Sequence, residues 1–348
     1  MTRLKRVDAN QMIGERRSPV DAATLSGAAA IVEDVRLRGE PAVREYSERF
    51  GDLSPGDPLV LYRRDLDAAL GRLDPSIREL LERAAGRIER FALEQRSCLL
   101  DLNTSVDGGR AGHRWLPVDT VGAYAPGGRY PLPSSVLMTV TPARIAGVDD
   151  VWAASPRPTL VTLAAAAVAG ADGLLAIGGA QAIAALAFGT FSPPSDVVVG
   201  PGNRWVTAAK KHLYGEIGID GLAGPSEIVV IADGTADPRL VAADLLAQAE
   251  HDPDALPILL TDTPSLVEEV DLMLDEQLAS LPTAAVAQSA LDAGYVVVVE
   301  NRDDAVEICD RIAPEHLALH VEDPEAMADR FSSYGSLFVG SASAEVFA

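Results

Sequence analysis

Short apolar runs separated by helix-forming stretches recur from Val118 to the end of this 348-residue chain, and that alternation leaves few folds open to it. A first series comprises residues 151–154, 174–177 and 197–199, with alanine-rich stretches at 159–169 and 180–188 between them. Brief runs of this kind are strands buried on both faces, and strands alternating with crossover helices build a parallel, doubly wound sheet. A second series follows at 228–231, 258–260, 295–299, 317–319 and 337–339, again with helices between. The first hundred residues read as helices: 22–38 stopped by Gly39, 41–50 stopped by Gly51, and a long one capped by Asp74, with Pro75 in its first turn, reaching about Gln95. The expected fold is α/β: two doubly wound, incomplete Rossmann-like domains with a helical N-terminal arm. A boundary near Ser226 makes residues 118–225 one α/β domain, and residues 1–117 with 226–348 a discontinuous second domain that includes the arm.

Residues 196–233 carry the sharpest local signal. The run Val197, Val198, Val199 ends on Gly200-Pro201-Gly202-Asn203 ahead of a helical segment, 205–214. A strand that delivers a glycine turn to a helix N-terminus makes a seat for an anion or a polar cofactor. A second glycine turn, GLAGPS at 221–226, leads into the next strand, so two α/β units are expected to meet at a cleft. An ordinary dinucleotide fingerprint is GxGxxG with an acid about 20 residues later. GPGNRW has only the first two glycines, and from the residues alone it reads equally as a plain β-to-α turn.

Composition narrows the partners. With a net charge of −22 the chain is a poor match for nucleic acid or an anionic membrane surface, since phosphate binding needs clustered Lys and Arg. Lys210-Lys211, the lone lysine pair, is expected on a helix face. No run approaches a membrane span and the basic N-terminus lacks the apolar core of a secretory signal, so a cytoplasmic enzyme is expected. Cys98 and Cys309 stand far apart and read as two reduced structural thiols.

Two further groupings have the residue types of catalytic sites. Gln248 and His251, three apart in the helical run 240–250, place an amide oxygen and an imidazole on one face, as zinc donors or as a surface pair; catalytic zinc takes three protein ligands or more. Glu315-His316, in the sequence APEHLAL, sits between a helix at 303–312 and the strand beginning at Leu317. An adjacent acid and imidazole at a strand edge suit a proton relay, and equally a loop pair facing solvent. His113, His212 and His320 match no motif and are expected at the surface or in packing.

The blocks VGAYAPGGRYPLPSSVLMTVTPARIAGV, GPGN, GIDGLAGPSEIVVIAD, AQAEHDPDA and APEHLAL, in this order, resemble histidinol dehydrogenase over most of the chain. The resemblance implies oxidation of L-histidinol to L-histidine through the aldehyde, with two NAD used in succession, zinc as the metal and a homodimer as the assembly. It implies Tyr124, Gln181 and Asn203 as NAD contacts, Gln248 and His251 as zinc ligands that also face the substrate, Ser226 beside them, and Glu315 and His316 as the acid–base pair, with His316 also touching substrate. In the family an aspartate and a histidine nearer the C-terminus complete the zinc shell, and this sequence ends before them. The expectation is a truncated form that folds and binds NAD but has a broken metal site and little turnover. A relative acting on another small polyol or amino alcohol, or a non-catalytic relative that keeps the cleft, fits the same residues.

Overall fold

The computed structural model describes residues 3–8, 20–127, 131–222 and 226–343. The chain divides into two compact units, Ser18–Gly224 and Met1–Arg17 with Pro225–Ala348. Both are mixed α/β with largely parallel sheets, as the apolar runs predict. No helix among the described residues is long and apolar enough to cross a membrane.

A two-residue strand, β1 (Lys5–Arg6), belongs to the later unit. The earlier unit begins with α1 (Ala22–Arg38), capped by Asp21, whose carboxylate accepts from the Thr24 N–H at 2.9 Å, and ends it at Gly39. Then come α2 (Glu40–Arg49), β2 (Val60–Tyr62), α3 (Arg63–Arg72), α4 (Pro75–Ser97) and an antiparallel hairpin, β3 (Leu102–Val106) and β4 (Gly109–His113). The βα series follows as β5 (Thr120–Tyr124), α5 (Pro133–Ala146), β6 (Asp150–Ala154), α6 (Leu160–Ala169), β7 (Gly173–Leu175), α7 (Gly179–Phe188), β8 (Val197–Val199), α8 (Arg204–Leu213) and β9 (Gly218–Ile219). The sheet order is β2-β7-β6-β5-β8-β9, parallel except where β2 pairs antiparallel with β7. Successive strands step from β5 to one side, and β8 is then laid on the other, so the order reverses between β5 and β8. The crevice outside the carboxyl ends of strands at such a reversal is the usual ligand position in open α/β sheets.

The helical arm belongs to this sheet and not to the second series, which corrects the expected domain division. Helix α1 buries Ala28, Ile31, Val32 and Val35 in the same apolar core as α7 and α8, α3 packs on α6, and α4 packs on α5. The strand β2, which the sequence did not announce, ties the arm to the sheet edge. What makes the other unit discontinuous is β1, which pairs parallel with β12 below and is tethered by Arg3 to Asp271, Asp275 and Gln288.

That unit runs β10 (Glu227–Ala232), α9 (Pro238–Ala249), β11 (Leu256–Thr261), α10 (Pro264–Leu278), α11 (Ala284–Ala293), β12 (Tyr295–Val298), α12 (Arg302–Ile312), β13 (His316–His320), α13 (Pro324–Ala328) and β14 (Ser336–Val339). Its sheet, β1-β12-β11-β10-β13-β14, is parallel throughout and carries an apolar cluster on each face. Ser341 and Ala342 form a turn after β14, and residues 344–348, like residues 223–225 of the second glycine turn, lie outside the described residues.

Candidate functional site

In the earlier unit the three residues expected to touch NAD lie at the carboxyl edge of the sheet. Tyr124 ends β5, Gln181 is in the first turn of α7 beyond β7, and Asn203 follows β8. Tyr124 and Gln181 meet at one turn. The Gly179 N–H donates to the Tyr124 hydroxyl at 3.3 Å, and Gln181 Nε2 donates at 3.3 Å to Asp52 Oδ2, which also accepts from the Gly178 N–H at 3.0 Å. Tyr124 is a core residue, and burial pushes its phenol up to about 12. Burial also raises the Asp52 carboxyl, against the pull of the Gly178 N–H. The oxygen of the buried Gln181 amide has no hydrogen-bond partner among the described residues. An unsatisfied buried acceptor beside a turn at the sheet reversal fits a polar cofactor that would donate to it.

Asn203 acts as the N-cap of α8, its Oδ1 accepting from the N–H groups of Trp205 at 3.0 Å and Val206 at 3.3 Å. Its Nδ2 is left as a free donor among the described residues. A single side chain thereby serves both as the structural cap of a β-to-α turn and as a donor at the mouth of the sheet. Gly200 approaches the end of β5 so closely that a Cβ there would stand 1.9 Å from the Tyr124 carbonyl oxygen, which is why the turn needs glycine.

Two groups at this edge were missed by sequence reading. Asp52 sits in a loop with no motif around it. Lys210, expected on a helix face, is only 3% exposed. A signal was available, because Lys210 shares a helix face with Val206 and Leu213 at i+4 and i+3 spacing, both fully buried.

In the later unit the candidate residues collect at the amino edge of the sheet. Ser226 precedes β10, Glu315 precedes β13, His316 begins it, and Gln248 lies at the end of α9, whose next strand β11 starts beside Ser226. The structure joins His316 directly to Gln248: Nδ1 of the ring donates to Oε1 of the amide at 2.9 Å. Gln248 is fully buried, and its Nε2 has no partner among the described residues. Glu315 is exposed. His251 stands beyond the end of α9, in a turn closed by its own N–H donating to the Gln248 carbonyl at 3.3 Å, so it is not on the helix with Gln248 as its spacing suggests.

The carboxyl edge of this second sheet is closed by its own side chains. Asp233 accepts from the Thr235 N–H at 2.9 Å, the Glu322 N–H at 3.0 Å and Arg302 at 2.7 Å, and these partners outweigh burial and hold its carboxyl below the usual range. Behind it the buried His320 donates to Asp244 at 2.8 Å, which makes His320 a packing residue. His212 pairs with Glu33 at the surface, and His113 lies edge-on to Trp115 on the exposed hairpin.

For a metal the donor set is short. Gln248 offers one oxygen, already engaged by His316, and His251 one imidazole. No cluster of three His, Cys, Asp or Glu side chains able to hold an ion occurs among the described residues. Two donors fall below the three or more that catalytic zinc takes, so these residues alone do not fit a zinc centre.

Comparison with known proteins gives one answer. The family model described as histidinol dehydrogenase matches residues 15–348. The histidinol dehydrogenase of Thermus thermophilus is 46% identical over 320 residues, covering 90% of this chain and 76% of that protein. That of Parasynechococcus marenigrum is 45% identical over 317 residues, covering 89% and 72%. The crystal structure of histidinol dehydrogenase from Elizabethkingia anophelis superposes with a TM-score of 0.91 at 30% identity, over 99% of this chain and 82% of that one. A chain with this sequence likeness and this fold belongs to the histidinol dehydrogenase family of oxidoreductases.

Proposed function

We propose that this chain oxidises L-histidinol to L-histidine through L-histidinaldehyde, passing two hydrides in succession to NAD. Family membership makes it an oxidoreductase of histidine biosynthesis; the acceptor, the two-step course and the residue roles are what we add.

The observation that carries the reading is the bond from His316 to Gln248. An amide oxygen only accepts, so the proton of neutral His316 resides on Nδ1, and Nε2 presents a lone pair. A base fixed in one tautomer by a buried partner is what alcohol oxidation requires: Nε2 takes the hydroxyl proton as the C–H hydride departs. Glu315, next in the chain and exposed to water, then takes a proton from the water that adds to the aldehyde carbonyl. His316, having released its first proton, accepts the hydroxyl proton of the hydrate in the second oxidation. Ser226, Gln248 and His251 contact the substrate at the same sheet edge. Tyr124, Gln181 and Asn203 hold NAD, which when bound supplies the hydride acceptor.

Gln248 and His251 also give two donors to zinc, and tight retention of the ion needs more than these two. We further propose a homodimer, supported by exposed apolar surface. Every residue of the β3–β4 hairpin is exposed, and Phe91, Leu100, Trp115 and Leu116 are 67%, 72%, 58% and 73% exposed.

The deciding experiment follows NADH formation and aldehyde release with L-histidinol, NAD and excess zinc. The expected result is two NADH for each histidinol consumed, with no free aldehyde. One NADH with stoichiometric aldehyde release would overturn the two-step reading, and NADH formation from plain diols in preference to histidinol would overturn the substrate.

A further inference from the structure

The turn Gly200-Pro201-Gly202-Asn203 is braced by an ion pair that no role has yet absorbed. Lys210, buried in the second turn of α8, donates from Nζ to the Gly200 carbonyl at 2.8 Å and to Asp220 Oδ1. The other oxygen of Asp220 accepts from the Gly200 N–H at 2.6 Å, and Oδ1 also accepts from the Gly221 N–H at 2.8 Å. One lysine and one aspartate therefore grip both backbone polar groups of a single glycine, itself at φ +111 and pressed against the end of β5.

Burying an ammonium is unfavourable unless it is paired and fully hydrogen-bonded, and an apolar side chain would pack at this position with less penalty. The charge is instead directed at the one residue that sets where the rest of the turn lies. Past Gly200, the backbone N–H groups of Gly202, Asn203 and Arg204 and the Nδ2 of Asn203 have no partner among the described residues, and they gather at the positive end of α8. Their use to a polar ligand depends on position. A donor misplaced by a few tenths of an ångström loses much of its hydrogen bond.

We propose that Lys210 and Asp220 are positioning residues for NAD: by locking Gly200 they hold the free donors of residues 202–204 in the geometry that receives the cofactor's anionic groups. This rests on the reading that NAD binds at the carboxyl edge of this sheet. The pair is expected to act before the cofactor arrives, so its effect should show in the ligand-free protein.

The test uses the whole chain with Lys210→Met and Asp220→Leu combined, which removes both charges together and leaves neither one buried alone. Calorimetric titration with NAD, thermal unfolding, and amide hydrogen exchange over residues 200–204 without ligand are compared with the unaltered chain. The expected result is an NAD affinity lower by about tenfold or more, as for loss of one or two well-placed hydrogen bonds. Exchange in the turn should be faster and the unfolding midpoint close to that of the unaltered chain. If the double variant does not fold, Asp220→Asn, which keeps the shape and drops the charge, is expected to weaken NAD in the same direction. A folded variant of either kind with unaltered NAD affinity overturns the positioning role while leaving the NAD reading intact. Absence of NAD binding to the unaltered chain overturns both.

Discussion

His316 Nδ1 donates to Oε1 of Gln248 across 2.9 Å, so the imidazole that begins β13 is oriented by an amide fully buried at the end of α9. Replacing His316 by Asn removes the base and keeps a small polar side chain. Turnover should fall by about 10²–10⁴-fold, the usual worth of a positioned general base. NAD affinity, which the proposal assigns to the other unit, should stay as it was. Steady-state kinetics with calorimetric NAD titration check this, and parallel loss of NAD affinity would refute the assignment of roles. Gln248→Leu should lower turnover by less, because it releases the ring without removing it.

On the proposed reading, Glu315 serves the second oxidation and not the first. With Glu315→Gln, proton removal from water slows while the first hydride transfer proceeds, so aldehyde should accumulate. Rapid-quench single-turnover measurement detects it. Equal slowing of both steps with no aldehyde build-up would show that Glu315 does not activate the water.

Asn203 allows cap and cofactor contact to be pulled apart. Asn203→Asp keeps an oxygen for the N–H groups of Trp205 and Val206, so stability should hold, yet it replaces the Nδ2 donor with a carboxylate beside an anionic cofactor. NAD affinity should drop sharply. Asn203→Ala should lose about 1 kcal/mol of stability as well, the ordinary worth of an N-cap. Thermal melts and NAD titration of both variants give the comparison; unaltered NAD binding to Asn203→Asp would return the residue to a purely structural cap.

These assignments show which parts of the molecule could be read from its residues. Runs such as Val197 to Val199 announce themselves because a strand buried on both faces tolerates only apolar side chains. The partner of an amphipathic helix carries no comparable mark. The buried stripe of α1, Ala28 to Val35, suits any sheet, so only the structure assigns the arm to the earlier unit. Lys5 and Arg6 pair with Tyr295 and Val296 through backbone alone, with exposed side chains, and leave no apolar trace of a strand. The hairpin went unread, although Asp107-Gly108 is a turn signal and Gly108 adopts φ +86. Within the candidate site the motif residues were visible, but the partners that orient them, Gln248 for His316 and Lys210 with Asp220 for Gly200, are fixed by tertiary contacts.

Tyr124 gives a pH signature. Its phenol is raised from 10.0 to about 12, mainly by burial, so the folded state favours the protonated form. The unfolded phenol ionises first as pH rises, so the associated stability is complete below pH 10 and is lost as pH approaches 12. The total is about 2–3 kcal/mol. Urea unfolding between pH 8 and pH 11.5 should show this loss, and Tyr124→Phe should flatten it. A slope unaffected by that substitution would mean that other groups control the alkaline limit.

Zinc offers the sharpest test of the later unit. As proposed zinc donors, Gln248 would contribute a neutral amide oxygen that already accepts from His316, His251 would contribute an imidazole from a turn, and neither would bring negative charge to a divalent ion. Structural and catalytic zinc sites add thiolates, carboxylates or further imidazoles to reach three or four ligands, and the resulting affinity depends on that charge and number. The 348-residue chain should therefore lose its zinc on dialysis against a mild chelator and retain well below one ion per chain by atomic absorption. His251→Ala should then change zinc content little, while NAD binding persists in the metal-free protein. Stoichiometric zinc that survives dialysis and falls away in His251→Ala would show that a further ligand completes the shell, and would make the metal a working part of this chain's site.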